Sequence, residues 1–155
     1  MEGLFTIMST IDDYLISLQN IEGDLSEQIQ NILINNQGKI VGTIKLRLYN
    51  HGVDASGNLI GEYYFVTQQE KRQAGKRASF ITLRDTGDWY AGMFVDYIDE
   101  ELIIDSSDFK TEELVSIYGE DILGLTEEEQ EWLIFSILEP EIQKYLDSRD
   151  EDIEL

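Results

Sequence analysis

The sequence contains no cysteine, one proline and one histidine among its 155 residues. Without cysteine the chain forms no disulfide and offers neither a thiolate metal ligand nor a cysteine nucleophile. Because His51 is the only histidine, a site with several histidine ligands is excluded within one chain, and any histidine-dependent triad would depend on this residue alone. Next to Gly52, His51 is typical of a helix end. These absences exclude cysteine-based and multi-histidine sites. We predict a protein that assembles with other proteins and is not an enzyme, with no metal and no cofactor; an enzyme is the third alternative.

Long apolar runs are also lacking, and none approaches the roughly 18 residues that span a bilayer. No basic segment precedes the first apolar residues, so we expect no signal peptide and no membrane partner. The absence of cysteine fits a protein of the cytoplasm. The length and the 42% hydrophobic content predict one domain, residues 1–155, that closes its own core.

Positive charge is scarce, with 11 Lys and Arg against 32 Asp and Glu and a net charge of −21. Binding to nucleic acid by the whole surface is therefore unfavourable. The charge is uneven: residues 1–38 carry −6, residues 39–84 carry +5 and residues 85–155 carry −20. A positive middle between negative ends favours contacts between copies, because complementary potentials set orientation. The alternative is an ordinary domain with a solvated acidic tail.

The pattern of apolar residues predicts an α+β fold, in which N-terminal and C-terminal helices flank a small antiparallel sheet and an extended basic loop. Residues 1–50 are predicted to be mainly helical. An apolar stripe at three- and four-residue steps runs from Leu4 to Ile21, and Ser26 is a candidate cap for a second helix. Residues 40–49 fit both a helix and a strand, and we favour the helix.

The centre of the chain predicts loops followed by strands. Residues 51–79 are expected to form a turn-rich loop and then a basic arm with almost nothing apolar, from residue 67 onwards. Residues 80–106 are expected to form antiparallel strands at Phe80–Leu83, Met93–Tyr97 and Leu102–Ile104, the last two as a hairpin.

The final third predicts helices over residues 109–148. The first ends at Gly119, and a capping box at residues 125–129 begins the second. Pro140 is expected to kink or split that second helix. Its predicted apolar face comprises Trp132, Leu133, Phe135, Leu138, Ile142 and Tyr145. Residues 149–155 are predicted to be a frayed acidic tail.

Asp85, Thr86 and Gly87 form the triplet found in aspartic proteases, where two such aspartates share a proton. One triplet would require a homodimer, and Arg84 stands where the proteases need an apolar residue. We interpret the triplet as a structural turn, with Trp89, Tyr90 and Phe94 anchoring the sheet that follows.

Residues 54–58 resemble the start of a calcium loop, with oxygen-bearing side chains at alternate positions. The sixth position is Leu59 where the loop needs glycine, and the twelfth is Phe65 where it needs glutamate. A hydrogen-bonded turn is the interpretation we favour.

Lys71, Arg72, Lys76 and Arg77 form a basic cluster around Gly75. We predict that these four residues contact an acidic neighbouring subunit. The cluster could also touch nucleic acid, but it lacks the interleaved aromatic residues on which bases stack. A solvated loop is a further alternative.

Three blocks resemble small virion proteins of phages that infect Bacteroidetes, including the crAss-like group: Tyr49–Gly57, Ile81–Tyr90 and Tyr118–Leu125. The likeness covers residues 28–148. The middle block is also distantly similar to tail-completion and head–tail joining proteins, which build rings at the neck or tail. The strongly acidic C-terminal half is the feature in which this chain departs from those families.

This resemblance implies a phage structural protein that forms a homo-oligomeric ring or collar in the head–tail connector or tail. Its partners would be copies of itself and neighbouring portal, connector or tail proteins, with DNA at most passing through the lumen. It would assemble in the host cytoplasm and reside in the virion. The alternative is an acidic inhibitor or nucleic-acid mimic, whose carboxylates imitate phosphates for a basic partner.

Overall fold

The computed structural model describes residues 10–21, 25–61, 65–75 and 80–153 of the chain. The predicted α+β class is confirmed, because helices flank a two-stranded antiparallel sheet at both ends. None of the helices in these ranges is long and apolar enough to cross a membrane.

Three helices precede the sheet: α1 at Thr10–Ile21, α2 at Ser26–Asn35 and α3 at Gln37–His51. The part of the first predicted stripe before residue 10 lies outside the described residues. Leu25, and not Ser26, occupies the cap position of α2, and no side chain bonds there.

Helix α3 confirms the helical alternative for residues 40–49. Ile40, Ile44 and Leu48 recur at four-residue steps and are completely buried, so their spacing places them on one face of a helix. Helix α3 ends at His51, as its position next to Gly52 predicted.

The prediction of a loop over residues 67–79 is wrong where the structure describes it. Helix α4 runs over Phe65–Gln73, and a turn at Ala74 and Gly75 follows it. Gln, Glu, Lys and Arg have high intrinsic helix propensity, so this segment forms a helix without an apolar stripe. Residues 62–64 and 76–79 lie outside the description.

The predicted strand at Phe80–Leu83 is also wrong, because these residues form an irregular loop. Leu83 has a φ of 61°, which no strand residue adopts. A short helix, α5 at Asp88–Ala91, follows the loop. The predicted hairpin is confirmed, with β1 at Met93–Ile98 and β2 at Glu101–Ser106.

The helices after the sheet begin with α6 at Thr111–Tyr118, which ends at Gly119 with a φ of 89°. A 3-10 turn at Glu120–Leu123 follows. Helix α7 begins at Glu127, directly after the predicted cap, and leads through a π-helical turn into α8. The bounds of these last three elements are Glu127–Leu133, Ile134–Leu138 and Glu139–Ile153.

The prediction of a frayed tail from residue 149 is wrong as far as residue 153. Helix α8 continues to Ile153, because the sequence after Pro140 contains neither glycine nor proline to end it. Residues 154–155 lie outside the description.

The predicted disturbance at Pro140 takes the form of the π-helical turn. Proline lacks an N–H, and its ring clashes with the carbonyl four residues earlier in a regular helix. The backbone widens just before it, so that the Glu139 N–H donates to the carbonyl of Ile134. The turn adds a residue within one helical repeat and therefore shifts the faces of the helix.

This shift corrects one member of the predicted apolar face. Phe135 is 65% exposed, whereas Ile134 and Ile137 are buried. The remaining predicted members are buried or half-buried, namely Trp132, Leu133, Leu138, Ile142 and Tyr145.

The chain divides into two compact units, and the single domain expected from its length stays a prediction. The first unit comprises Met1–Ile40, Phe94–Ile104 and Glu127–Leu155. In it, α1 packs against α7, and α2 packs against the π-helical turn and α8. Its buried side chains include Leu15, Ile29, Leu33, Leu133, Leu138 and Ile142.

The second unit comprises Val41–Met93 and Asp105–Thr126. Its core includes Ile44, Leu48, Trp89 and Ile122. Arg47 is also buried, and its guanidinium donates to the carbonyls of Val53 (3.2 Å) and Gly124 (2.9 Å). This arginine ties α3 to the turn-rich loop and to the segment before α7.

Candidate functional site

The loop before α5 in the second unit is held in an unusual backbone conformation. Leu83 is left-handed, and its neighbour Thr82 is only 3% exposed. The Tyr90 hydroxyl donates to the Thr82 carbonyl, and the Arg84 N–H donates to the Thr82 hydroxyl at 3.3 Å. Hydrogen bonds on both sides of Leu83 therefore fix the direction in which the chain leaves this residue.

Asp85, Thr86 and Gly87 form the bend that leads into α5. The Asp88 N–H donates to the Thr86 hydroxyl at 3.3 Å, and Gly87 has a φ of 92°. Glycine adopts this conformation without steric penalty. Asp85 is exposed.

Two cations lie beside this bend. The Arg84 guanidinium is 5.7 Å from the centre of the Tyr49 ring, within the range of a cation–π contact. It also lies beside Gly87, where an added Cβ would be 3.6 Å from Nη2. The Lys110 ammonium is 3.5 Å from the Thr86 hydroxyl. Positive charge is thus concentrated around the bend although the chain as a whole is acidic.

These groups line a cavity of about 310 Å³ that lies entirely within the second unit. Its charged lining consists of three cations, Lys71, Arg84 and Lys110, and one carboxylate, Asp85. Its other lining residues are mostly apolar and comprise Thr67, Ile81, Leu83, Gly87, Trp89, Leu114 and Tyr118. A small apolar cavity with a cationic lining is suited to a group that carries both negative charge and apolar surface.

Trp89 lines this cavity and is held in place by burial and hydrogen bonds. It is 2% exposed, its indole N–H donates to the Thr111 hydroxyl at 3.2 Å, and its carbonyl accepts from the Ser106 hydroxyl at 2.8 Å. Its ring centre is 6.0 Å from that of Tyr90. Trp89 therefore links α5 to the end of β2 and to α6. Phe94, the third predicted sheet anchor, is half-buried on β1.

Of the four residues predicted at a subunit interface, the structure brings one to the cavity. Lys71 lines it, and Arg72 is exposed on the same helix. Lys76 and Arg77 lie outside the described residues. The two other cations of the cavity, Arg84 and Lys110, were missed. Lys110 could have been singled out from the sequence, because it is one of only three basic residues after residue 84.

The segment at residues 54–58, which resembles the start of a calcium loop, forms a turn. The Asp54 carboxylate accepts from the N–H groups of Ser56 (3.0 Å) and Asn58 (3.1 Å), and Val53 pairs with Leu59. Within the ranges that the structure covers, no three His, Asp or Glu residues are grouped as a metal site requires.

Comparison with protein family models, curated proteins and solved structures gave no match. The resemblance to phage virion proteins therefore stays a prediction, and the cavity is interpreted from its own chemistry.

Proposed function

We propose that this protein is a structural subunit of a phage virion, which assembles with copies of itself into a ring or collar of the head–tail connector or tail. The observation that carries the proposal is the cationic cavity in the second unit. Three basic side chains line one small cavity in a chain that has only 11 bases and a net charge of −21.

Electrostatics explains why such a cavity suits assembly. Copies of a strongly acidic chain repel each other over distances of about a Debye length, about 8 Å at physiological ionic strength. A contact between copies therefore needs a local region of opposite sign. The cavity supplies that region, and the acidic remainder of the chain supplies its complement. Contacts between two different surfaces of identical subunits generate a ring when the rotation closes.

The acidic surface also suits the partners that a ring of this kind meets. A negatively charged lumen repels the DNA backbone, so that DNA passes without adhering. Neighbouring portal, connector or tail proteins would meet the outer faces of the ring. Assembly takes place in the cytoplasm of the bacterial host, and the finished protein resides in the virion.

The proposal is tested by sedimentation velocity on the purified chain and by mass spectrometry of virions. We expect the wild type to form a defined oligomer, and we expect K71E/R72E/K76E/R77E to shift it toward monomer. The matched control is K39E/K45E/K144E/R149E, which changes the net charge equally and should retain the oligomer. Circular dichroism establishes that each variant is folded.

A wild-type chain that stays monomeric at high concentration, and that is absent from virions, would overturn the proposal. Salt-sensitive capture of a host DNA-binding protein by that monomer would support instead the acidic inhibitor or nucleic-acid mimic.

A further inference from the structure

The tip of the hairpin combines exposed apolar surface with three consecutive acidic residues. Ile98, at the end of β1, is 50% exposed. Asp99 and Glu100 form the two-residue turn, and Glu101 begins β2; all three are exposed. The tip therefore combines negative charge with apolar surface, the two properties that a cavity with a cationic and apolar lining accommodates.

The backbone of the tip is strained in a way that a different sequence would avoid. Asp99 and Glu100 have φ values of 51° and 64°, which two-residue hairpin turns require but which favour Asn-Gly. Glutamate is poorly suited to this conformation because its Cβ approaches the backbone carbonyl. Aspartate is favoured at the first position of such a turn, so the strain lies at Glu100, where glycine is preferred, and such strain is concentrated at functional sites.

We propose that the hairpin tip of one copy, Ile98 to Glu101, inserts into the cationic cavity of a second copy; this inference rests on the proposed assembly. Three carboxylates of the tip meet Lys71, Arg84 and Lys110, and Ile98 packs on the apolar lining beside Trp89. In this contact the acidic groups of the tip and the basic groups of the cavity surround an apolar centre. Protein interfaces commonly have such a buried apolar core and a polar rim.

The shape of the tip distinguishes it from the other exposed apolar residues. Phe135 lies on a helix between Glu131 and Glu139, and a helix with its side chains is about 10–12 Å across. A cavity of about 310 Å³ is at the lower end of binding-pocket volumes and admits a narrow turn more readily than a helix. Phe109 is 89% exposed, but its neighbour Lys110 belongs to the cationic surface.

Tip and cavity are different surfaces of the same chain, so each copy offers one of each. Because the two surfaces differ, the contact can continue from copy to copy, and it generates a ring when the rotation between copies closes. Insertion of the tip thus supplies the contact that a ring of identical subunits requires.

The test uses one charge-reversed variant for each surface. D99K/E100K reverses the tip and R84E/K110E reverses the cavity. We expect each variant alone to lose the wild-type oligomer, because like charges then face each other. We expect an equimolar mixture to recover oligomers of alternating subunits. In the mixture the basic tip of D99K/E100K meets the acidic cavity of R84E/K110E, and the acidic tip of R84E/K110E meets the basic cavity of D99K/E100K. Recovery on mixing also establishes that the contact joins different copies.

Matched controls change the net charge equally at other positions. E127K/E128K, in the exposed first turn of α7, matches the tip variant, and K45E/K144E matches the cavity variant. At physiological ionic strength, where charges more than about 8 Å apart are largely screened, both controls should form the wild-type oligomer in sedimentation velocity.

The outcomes separate this inference from the proposed function. A monomeric wild type contradicts the proposed function itself. A wild-type oligomer that survives both surface variants, or loss of assembly without recovery on mixing, overturns the insertion of the tip and leaves the oligomer established. Loss of assembly in F135A together with normal assembly of D99K/E100K would also overturn it and assign the contact to the helical face around Phe135.

Discussion

Leu83 has a left-handed backbone, with a φ of 61°, although the Cβ of a non-glycine residue disfavours this conformation. The hydrogen bonds of Thr82 hold the chain on either side of it. Because the Tyr90 hydroxyl supplies one of these bonds, a single phenol helps to place Arg84 beside Tyr49 and in the cavity. This dependence on one buried hydroxyl makes Tyr90 a positioning residue for the proposed contact.

Tyr90→Phe should lower the free energy of unfolding by about 1–3 kcal/mol, because the carbonyl of the buried Thr82 loses its hydroxyl donor. Urea denaturation measures this change. Tyr145→Phe, on α8, serves as the control and should change stability by less than about 0.5 kcal/mol. Equal effects of the two substitutions would show that the Tyr90 hydroxyl has no special role.

Tyr14 provides a prediction about pH. Burial raises the pKa of its phenol above the ordinary value of 10.0, and the negative charge of Glu139 raises this pKa further. The folded state therefore favours the protonated phenol. The resulting stabilisation is fully present below the unfolded pKa of 10.0 and is lost as the pH rises through the higher folded pKa.

The stability of the wild type should consequently fall more steeply than that of Tyr14→Phe as the pH rises above about 10, where the phenol of the unfolded chain ionises. Urea denaturation of both proteins across this range measures the difference. Glu139→Gln should give an intermediate slope, because it removes the smaller of the two causes. Parallel curves for wild type and Tyr14→Phe would contradict the raised pKa.

At the scale of elements, periodic apolar patterns were sufficient for the hairpin and for the helices that have an apolar face, but not for α4 or for the loop before α5. Ile40, Ile44 and Leu48 predicted α3, because four-residue spacing buries one helical face. Helix α4 was missed because it has no apolar stripe, and its formation follows from residue propensity. Phe80–Leu83 has the composition of a strand, but the left-handed Leu83 prevents that conformation.

The hairpin turn permits a direct measurement of its strain. Glu100→Gly should raise the free energy of unfolding by about 1 kcal/mol, because glycine adopts the left-handed conformation without the penalty of about 1–2 kcal/mol that other residues incur. Glu101→Gly removes the same charge from an extended position of β2 and should be destabilising by about 0.5–1 kcal/mol. Urea denaturation compares the two, and destabilisation of similar size in both would contradict the strain at Glu100.

At the scale of the whole molecule, the sequence predicted the uneven charge but only part of the cavity. Lys71 belonged to a visible basic cluster, and the bend at residues 85–87 was recognised as a turn. Arg84 and Lys110 are separated by 26 positions and line the same cavity only in the folded second unit. Such a meeting depends on tertiary packing, which the local pattern does not contain.

The balance of charge predicts how assembly depends on salt. The overall charge of −21 opposes association at long range, whereas the proposed contact between tip and cavity acts at short range. Salt screens the first more than the second, since the Debye length falls from about 30 Å at 0.01 M to about 10 Å at 0.1 M and about 3 Å at 1 M. Assembly should therefore strengthen from about 0.01 M to about 0.1 M salt and weaken again toward about 1 M.

Sedimentation velocity across this range measures the apparent dissociation constant. E127K/E128K carries four fewer net negative charges and should assemble more tightly than the wild type at the lowest salt, with little difference at the highest. Assembly that only weakens with salt would mean that attraction outweighs repulsion at every distance. Assembly that only strengthens would mean that the contact is apolar, because an ionic contact of Arg84 and Lys110 with carboxylates must lose affinity as the Debye length approaches the separation of the charges.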